Sequence, residues 1–405
     1  MKALKRSALC AAAVAAALSI GSAGAQVSDG MVKIGVLSDM SSLYMDLAGA
    51  GSVVAARMAV EDSGIEKRGY KVEIVSADHQ NKADVGSGIA RQWYDVDKVD
   101  VIVDTPNSGV ALAVSQITKD KGKAFLVSGA ASSDLTGKAC SPNTIHWTYD
   151  TWMLANGTGN AIVKTGGDTW FLITADYAFG HALERDTEAV VLKSGGKVLG
   201  KVRAPLNTQD FSSFLLQAQA SNAKIVGLAN AGGDTTNSIK QAAEFGIVKG
   251  GQNLAGLLVF LTDIHGLGLP TAQGLIFTET FYWDMNDQTR AFAKRFAERD
   301  KGIHPTMIHA GVYSAITHYL KAVEALKSDD GTKVIAKMKE TPTDDPLFGK
   351  GTIRVDGRKI HPAYLVEAKK PSESKGEWDL YKIRATIPAD QAFQPLKDGE
   401  CPLVK

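Results

Sequence analysis

Short β-branched runs alternate with amphipathic stretches along this chain, and the alternation runs through once, pauses and starts again. Val32–Leu37 reads as a strand, followed by a helix from about Gly49 with Val53, Ala56 and Val60 on one face. Lys71–Ser76, a helix through Ile89 and Trp93, Val99–Val103, a helix from about Ser108, and Ala124–Ser128 complete the first pass. The second pass begins with a helix near Trp152 to Val163 and the strand Trp170–Thr174, then a helix from about Gly180 and Lys197–Val202. Asp210 stands as an N-cap before Phe211, Phe214, Leu215 and Ala218, whose spacing is that of one helix face. Ile225–Leu228, a helix carrying Ile239 and Ala242, and the strand Leu257–Phe260 close it. This is the pattern of strands and crossover helices around parallel sheets, so the expected class is α/β with two layers. From Gly274 the chain gives one more strand, Leu275–Thr278, a polar helix near Gln288 to Arg299 and a longer helix after Pro305. Terminal β-ribbons follow around Thr352–Val355, Tyr364–Glu367 and Leu380–Ile383.

Residues 1–25 read as a secretory signal. Lys2, Lys5 and Arg6 give a basic start, Ala8 to Ile20 an apolar run short for a bilayer, and Ala23-Gly24-Ala25 a small-x-small cleavage site. The alternative is an uncleaved anchor. Of the 405 residues, 45 are Lys or Arg and 44 Asp or Glu, so the formal charge of +1 becomes −2 once those three bases leave. Such a balance lacks the clustered cationic surface that nucleic acid requires. The expected product is exported, periplasmic and monomeric.

Three cysteines reduce to two when Cys10 goes with the signal. Cys140 and Cys401 are then a candidate disulfide in an oxidising compartment, tying the carboxyl tail to a loop far upstream. Two buried thiols are the alternative, because sequence does not show whether the Cα atoms come within reach. No metal site or cofactor is expected.

Enzyme signatures are absent. There is no G-x-S-x-G, P-loop, H-E-x-x-H or paired C-x-x-C, and Gly49-Ala50-Gly51 carries Val54 where a dinucleotide fingerprint needs its third glycine. Catalysis has no positive support. What the sequence offers is polar loops at the carboxyl ends of expected strands, where ligands sit in open α/β sheets. They are Ser38 to Tyr44, Thr105 to Gly109 and Ser128 to Ser133 in the first half, with Asp176 to Gly180 and Asn230 to Thr235 opposite. The first-half loops after the third and fourth strands suit an anionic head group, since they present backbone N–H and hydroxyl donors near a helix start. Ordinary N-capping is the competing reading for each loop. Phe179 or Tyr177 could cover an apolar ligand body. Asp234 could accept from an amine or hydroxyl, or simply cap its own helix. Tyr149-Asp150-Thr151-Trp152, where the halves meet, could be hinge, site wall or capped helix start.

At these residues the chain resembles periplasmic substrate-binding proteins of the branched-chain amino acid type, which serve ABC importers. The likeness is carried by Val32 to Leu37, by Ser128-Gly129-Ala130-Ala131-Ser132-Ser133-Asp134-Leu135-Thr136, by Asp176-Tyr177-Ala178-Phe179-Gly180 and by Asp210-Phe211-Ser212-Ser213. The resemblance implies the type I periplasmic binding fold, two Rossmann-like lobes with central parallel sheets joined by three hinge crossovers. One lobe would hold residues 26–148 and about 275–345, the other 149–274 and about 346–390, with a tail over 391–405. It places the ligand carboxylate on Asn107, Ser108, Gly129, Ala130, Ala131 and Ser132, and an aromatic wall at Phe179. Two departures matter. Ala131 stands where such binders have a hydroxyl-bearing threonine. Ala229 to Gly233 and Leu257 to Leu261 replace the tyrosine-rich loop and the glutamate that receive an α-ammonium. That favours a carboxylate lacking the amine, an aromatic acid first and a hydrophobic or branched-chain amino acid next, with Tyr44, Trp152 and Phe281 as ring partners and Asp150 beside them at the hinge. The implied partner is the permease in the inner membrane; a periplasmic ligand sensor serving a signalling receptor is the alternative.

Overall fold

Two parallel sheets organise the computed structural model, which describes residues 27–405; the expected signal over residues 1–25 lies outside them. In the first lobe β1 (Val32–Ser38), β2 (Val72–Asp78), β3 (Val101–Asp104), β4 (Ala124–Val127) and β5 (Thr144–His146) pair in the order β2-β1-β3-β4-β5. The helices α1 (Gly49–Ser63), α2 (Ala83–Asp95) and α3 (Ser108–Lys121) cross between successive strands. Val101, Ile102 and Val103 are fully buried, because helices cover both faces of such a sheet.

The second lobe starts with a broken helix. α4 (Thr151–Leu154) runs through a π-helical turn over Ala155–Gly159 into α5 (Asn160–Lys164). Then come β6 (Thr169–Ala175), α6 (Ala178–Lys193), β7 (Lys197–Ala204), α7 (Ser212–Ala220), β8 (Ile225–Ala229), α8 (Gly233–Glu244) and β9 (Asn253–Gly256), in the sheet order β7-β6-β8-β9. Asp210 accepts from Ser212 N at 2.9 Å but is not the N-cap, a place taken by Phe211. The expected strand Leu257–Phe260 is also displaced. β9 matches Asn253–Gly256 to Ile225–Leu228 of β8 and stops there, so residues 257–260 leave the sheet toward the interlobe space.

Two short helices, α9 (Leu261–Leu267) and α10 (Leu269–Ala272), lead to β10 (Ile276–Glu279). β10 pairs antiparallel with β14 (Ala363–Ala368), which pairs with β15 (Tyr381–Ile387). Phe277 lies in the second lobe's core with Val226 and Leu228, so the segment returning to the first lobe does not begin near residue 275. It begins with α11 (Asp287–Arg299), α12 (Met307–Leu326) and α13 (Gly331–Glu340), which pack on α1 and β4. Gly51 allows that close approach, since a Cβ there would lie 2.5 Å from His309 Nε2 on α12. A ribbon of β11 (Thr343–Asp345), β12 (Gly349–Ile353) and β13 (Lys359–Ile360) also stays with the first lobe beyond the expected boundary near 346. His146 N donates to Gly357 O at 2.9 Å, which adds the ribbon to the edge of β5.

The chain thus passes between lobes three times, at β5 to α4, β10 to α11 and β13 to β14. After β15 the tail turns back. Asn156 Nδ2 on the second lobe donates to Gln391 O at 2.9 Å, Arg354 Nη1 to Gln394 O at 2.7 Å, and Cys401 is bonded to Cys140 in the first lobe. The bond joins Cα atoms 5.6 Å apart across 261 residues of sequence, so the candidate disulfide is present.

Candidate functional site

The carboxyl ends of both parallel sheets face one another, and between them lies a narrow cavity. Its first-lobe wall is Tyr44, Leu47, Pro106, Gly129 and Ala131, with Ile308 from the start of α12. Its second-lobe wall is Tyr177, Phe179, Ala231, Leu258 and Phe260, and Tyr149 stands at the crossover.

Asp39 builds the loop that carries Tyr44. Its buried carboxylate accepts from the backbone N–H of Ser42 at 3.0 Å and of Tyr44 at 2.7 Å, and from Asn81 Nδ2 at 2.6 Å. An aspartate folding its own downstream backbone in this way fixes the loop without regular structure. The Tyr44 hydroxyl then meets that of Tyr177 across the lobes at 2.6 Å. Tyr177 tilts against Phe179 with ring centroids 5.9 Å apart. Tyr149 donates to the carbonyl of Gly129 and stands edge-on to Phe260, centroids 6.0 Å apart. The lobes are closed, and the phenols are held by one another and by backbone.

The loops expected to receive a head group follow β3 and β4, and most of their polar groups are bonded within the protein. Asn107 Oδ1 caps α3 by accepting from Val110 N at 3.1 Å. Ser108 Oγ accepts from the backbone N–H of Ala131 at 3.3 Å and of Ser132 at 3.1 Å, which leaves the serine hydrogen for an outside acceptor. Ala130 O pairs with the His146 ring at 2.7 Å, and Ser132 Oγ accepts from Asp134 N. Of this group only Gly129 and Ala131 line the cavity.

Four other expected contacts, Asp150, Trp152, Phe281 and Asp234, lie outside the cavity wall. Asp150 Oδ1 caps α4 through Met153 N at 2.8 Å while Oδ2 is 3.5 Å from Arg358 Nη1, so it is committed to the hinge. Trp152, half-buried on α4, is not in the wall. Phe281 is buried edge-on against Phe292 of α11, centroids 6.2 Å apart, and does not line the cavity. Asp234, in the first turn of α8, accepts from Asn207 N at 3.1 Å through Oδ2 and has an unpartnered Oδ1; burial pushes its carboxyl up to about 6. Phe260, Leu258 and Ile308 are wall residues that the sequence reading missed. A strand assigned to Leu257–Phe260 hid the first two, although Leu258 and Phe260 share a face two residues apart.

Behind Gly129 sits a buried acid. Asp104 ends β3, accepts from Ser38 Oγ at 2.7 Å, and turns an unpartnered Oδ1 toward Gly129, 2.7 Å from where a Cβ would stand. Burial raises its carboxyl to about 7, well above 3.8, so the folded chain holds a proton there that the unfolded chain has released. This contribution to stability is full below pH about 4 and is lost as pH rises through about 7. Asp104→Asn is expected to remove that fall. Denaturant midpoints of both proteins at pH 5 and pH 8 test it, and parallel pH dependences would sink the assignment. Asp100, Asp234 and Asp263, also raised by burial, contribute equally to both proteins and cancel.

A family model described as periplasmic binding protein matches residues 31–377. The chain belongs to that family. The crystal structure of a periplasmic binding protein from Burkholderia mallei is 51% identical, with a TM-score of 0.90 over 93% of this chain and 100% of that one. A branched chain amino acid ABC transporter periplasmic ligand-binding protein from Burkholderia xenovorans LB400 is 43% identical, TM-score 0.83, over the same shares. An ABC transporter solute-binding protein from R. palustris, solved in complex with benzoate, shares the fold at 21% identity and TM-score 0.78, over 89% of this chain and 97% of that one. This periplasmic binding protein is thus a solute-binding transport component of the type I fold and not an enzyme.

Proposed function

We propose that this binding protein is the exported receptor of an ABC import system, capturing an aromatic carboxylate between its lobes as a monomer and delivering it to permease subunits in the inner membrane. The observation that carries the ligand class is the lining of the cavity. Five aromatic rings face it, from Tyr44, Tyr149, Tyr177, Phe179 and Phe260, and no lining residue has an acidic side chain to receive an ammonium. A ring of roughly 150 Å² buried at about 25 cal/mol per Å² gains about 4 kcal/mol, which suits an aromatic body. In this reading the carboxylate lies at the Ala131 corner of the cavity, behind which Ser108 keeps a free hydroxyl hydrogen at the start of α3, an arrangement that favours an anion. Residues 1–25 act as the export signal in this reading, and no helix among the described residues is long and apolar enough to cross a membrane.

A hydrophobic or branched-chain amino acid is the second reading, favoured by the likeness to the B. xenovorans protein. A thermal-shift panel of aromatic acids, hydrophobic amino acids and short amides on ligand-stripped protein separates them, since a ligand at a hundred times its Kd stabilises the native state by about 2.7 kcal/mol. If only amino acids raise the melt, the aromatic acid is wrong. Phe179→Ala is expected to weaken binding of the ligand so found by about tenfold or more, measured by titration calorimetry; unchanged affinity removes Phe179 from the site.

A further inference from the structure

Tyr44 and Tyr177 meet through their hydroxyls at 2.6 Å, one from each lobe, and both line the cavity. Neither hydroxyl bonds to any other described residue. Each phenol has one hydrogen and two acceptor lone pairs, so their mutual bond consumes one hydrogen and one lone pair. One hydrogen and several lone pairs remain. Both groups stay protonated, because burial and the nearby Asp234 charge push each phenol up. The pair therefore presents a donor and an acceptor together, in a wall that otherwise gives the ligand apolar surface.

Three ligand groups could meet that pair, and the chemistry separates them. An ammonium could donate to a remaining phenol lone pair but would leave the remaining phenol hydrogen without an acceptor. A carboxylate could accept the hydrogen but would stand near Asp234, and like charges disfavour each other in a buried site. A hydroxyl both accepts and donates, carries no charge, and uses what the pair has left.

Resting on the aromatic-acid reading above, we propose that the Tyr44–Tyr177 pair is the specificity determinant of this site, reading a hydroxyl on the ligand body and selecting hydroxylated aromatic ligands over their unsubstituted analogues. The pair acts only in the closed protein, since each lobe supplies one of its members. A ligand hydroxyl joining it adds a third partner to an interlobe contact, so recognition and closure strengthen together.

Paired titrations of the full mature protein test this with 4-hydroxybenzoate against benzoate and tyrosine against phenylalanine, repeated in Tyr44→Phe and Tyr177→Phe. One or two added hydrogen bonds predict about a tenfold preference for the hydroxylated member, falling below about threefold in each variant. A purely structural latch would weaken both members of a pair alike and leave the ratio unmoved, and that outcome overturns the proposal. So does equal affinity of the two members in the wild-type protein. If the amino-acid pair binds and the benzoates do not, the aromatic-acid reading fails while the tyrosine to phenylalanine ratio still decides the role of the phenols. If neither pair binds, both readings fall.

Discussion

Gly232→Val is expected to give a folded protein whose lobes do not close, with ligand affinity lowered by a hundredfold or more. Gly232 precedes α8 at φ +59 and ψ −132, a region that residues with a Cβ avoid. A Cβ there would also lie 2.8 Å from the carbonyl oxygen of Leu43 and 3.1 Å from the Tyr44 ring, both on the opposite lobe. The oxygen is backbone, held by the loop that Asp39 organises, so it has no rotamer by which to retreat. Ligand drives closure only by binding the closed form more tightly than the open one, and the apparent Kd rises as the competent fraction falls. A hundredfold loss corresponds to about 2.7 kcal/mol, small for a clash of this depth. Titration calorimetry gives the affinity, and small-angle scattering with saturating ligand shows whether the molecule still contracts. Wild-type affinity would mean that the lobes close without this contact.

Loss of the Cys140–Cys401 bond is expected to cost stability more than affinity. In the chain-entropy account a disulfide stabilises by restricting the unfolded chain, and the gain grows with loop length. A separation of 261 residues puts this bond near the top of that range. A double replacement by serine should therefore lower unfolding free energy by about 3–5 kcal/mol. Denaturant midpoints with and without reductant provide the measurement, and a midpoint indifferent to reductant would contradict it. The tail keeps other anchors, among them Phe393 over the Arg358 guanidinium at 4.4 Å, so ligand binding should survive reduction.

The parallel layers of both lobes were legible because period-two and period-3.6 patterns are local properties of the chain. The cysteine pair was legible by counting, and the loops bearing Tyr44, Gly129, Ala131 and Phe179 by their place after strands. What escaped depends on partners distant in sequence. Phe281 is apolar whether it meets a ligand or Phe292, and the pattern around it is the same in both cases. Asp150 is polar near the site, but its partner Arg358 lies 208 residues away. Ile308 reaches the cavity only because α12 returns to the first lobe. Ile276–Glu279 shows the limit most clearly: the run reads as a strand, while β14, which assigns it to the second lobe, is almost 90 residues downstream.

The route of the carboxyl tail has a mechanical meaning. Tension applied at the two ends of the chain would enter the first lobe, reach Cys140, and leave through sulfur to Cys401. Everything between the two cysteines, the whole second lobe included, lies off that line of force. Pulled from either side of the bond, the oxidised protein would lengthen only by residues outside the loop that Cys140 and Cys401 close. The lobe that must swing over the ligand is therefore also the lobe that a pull on the termini cannot unravel.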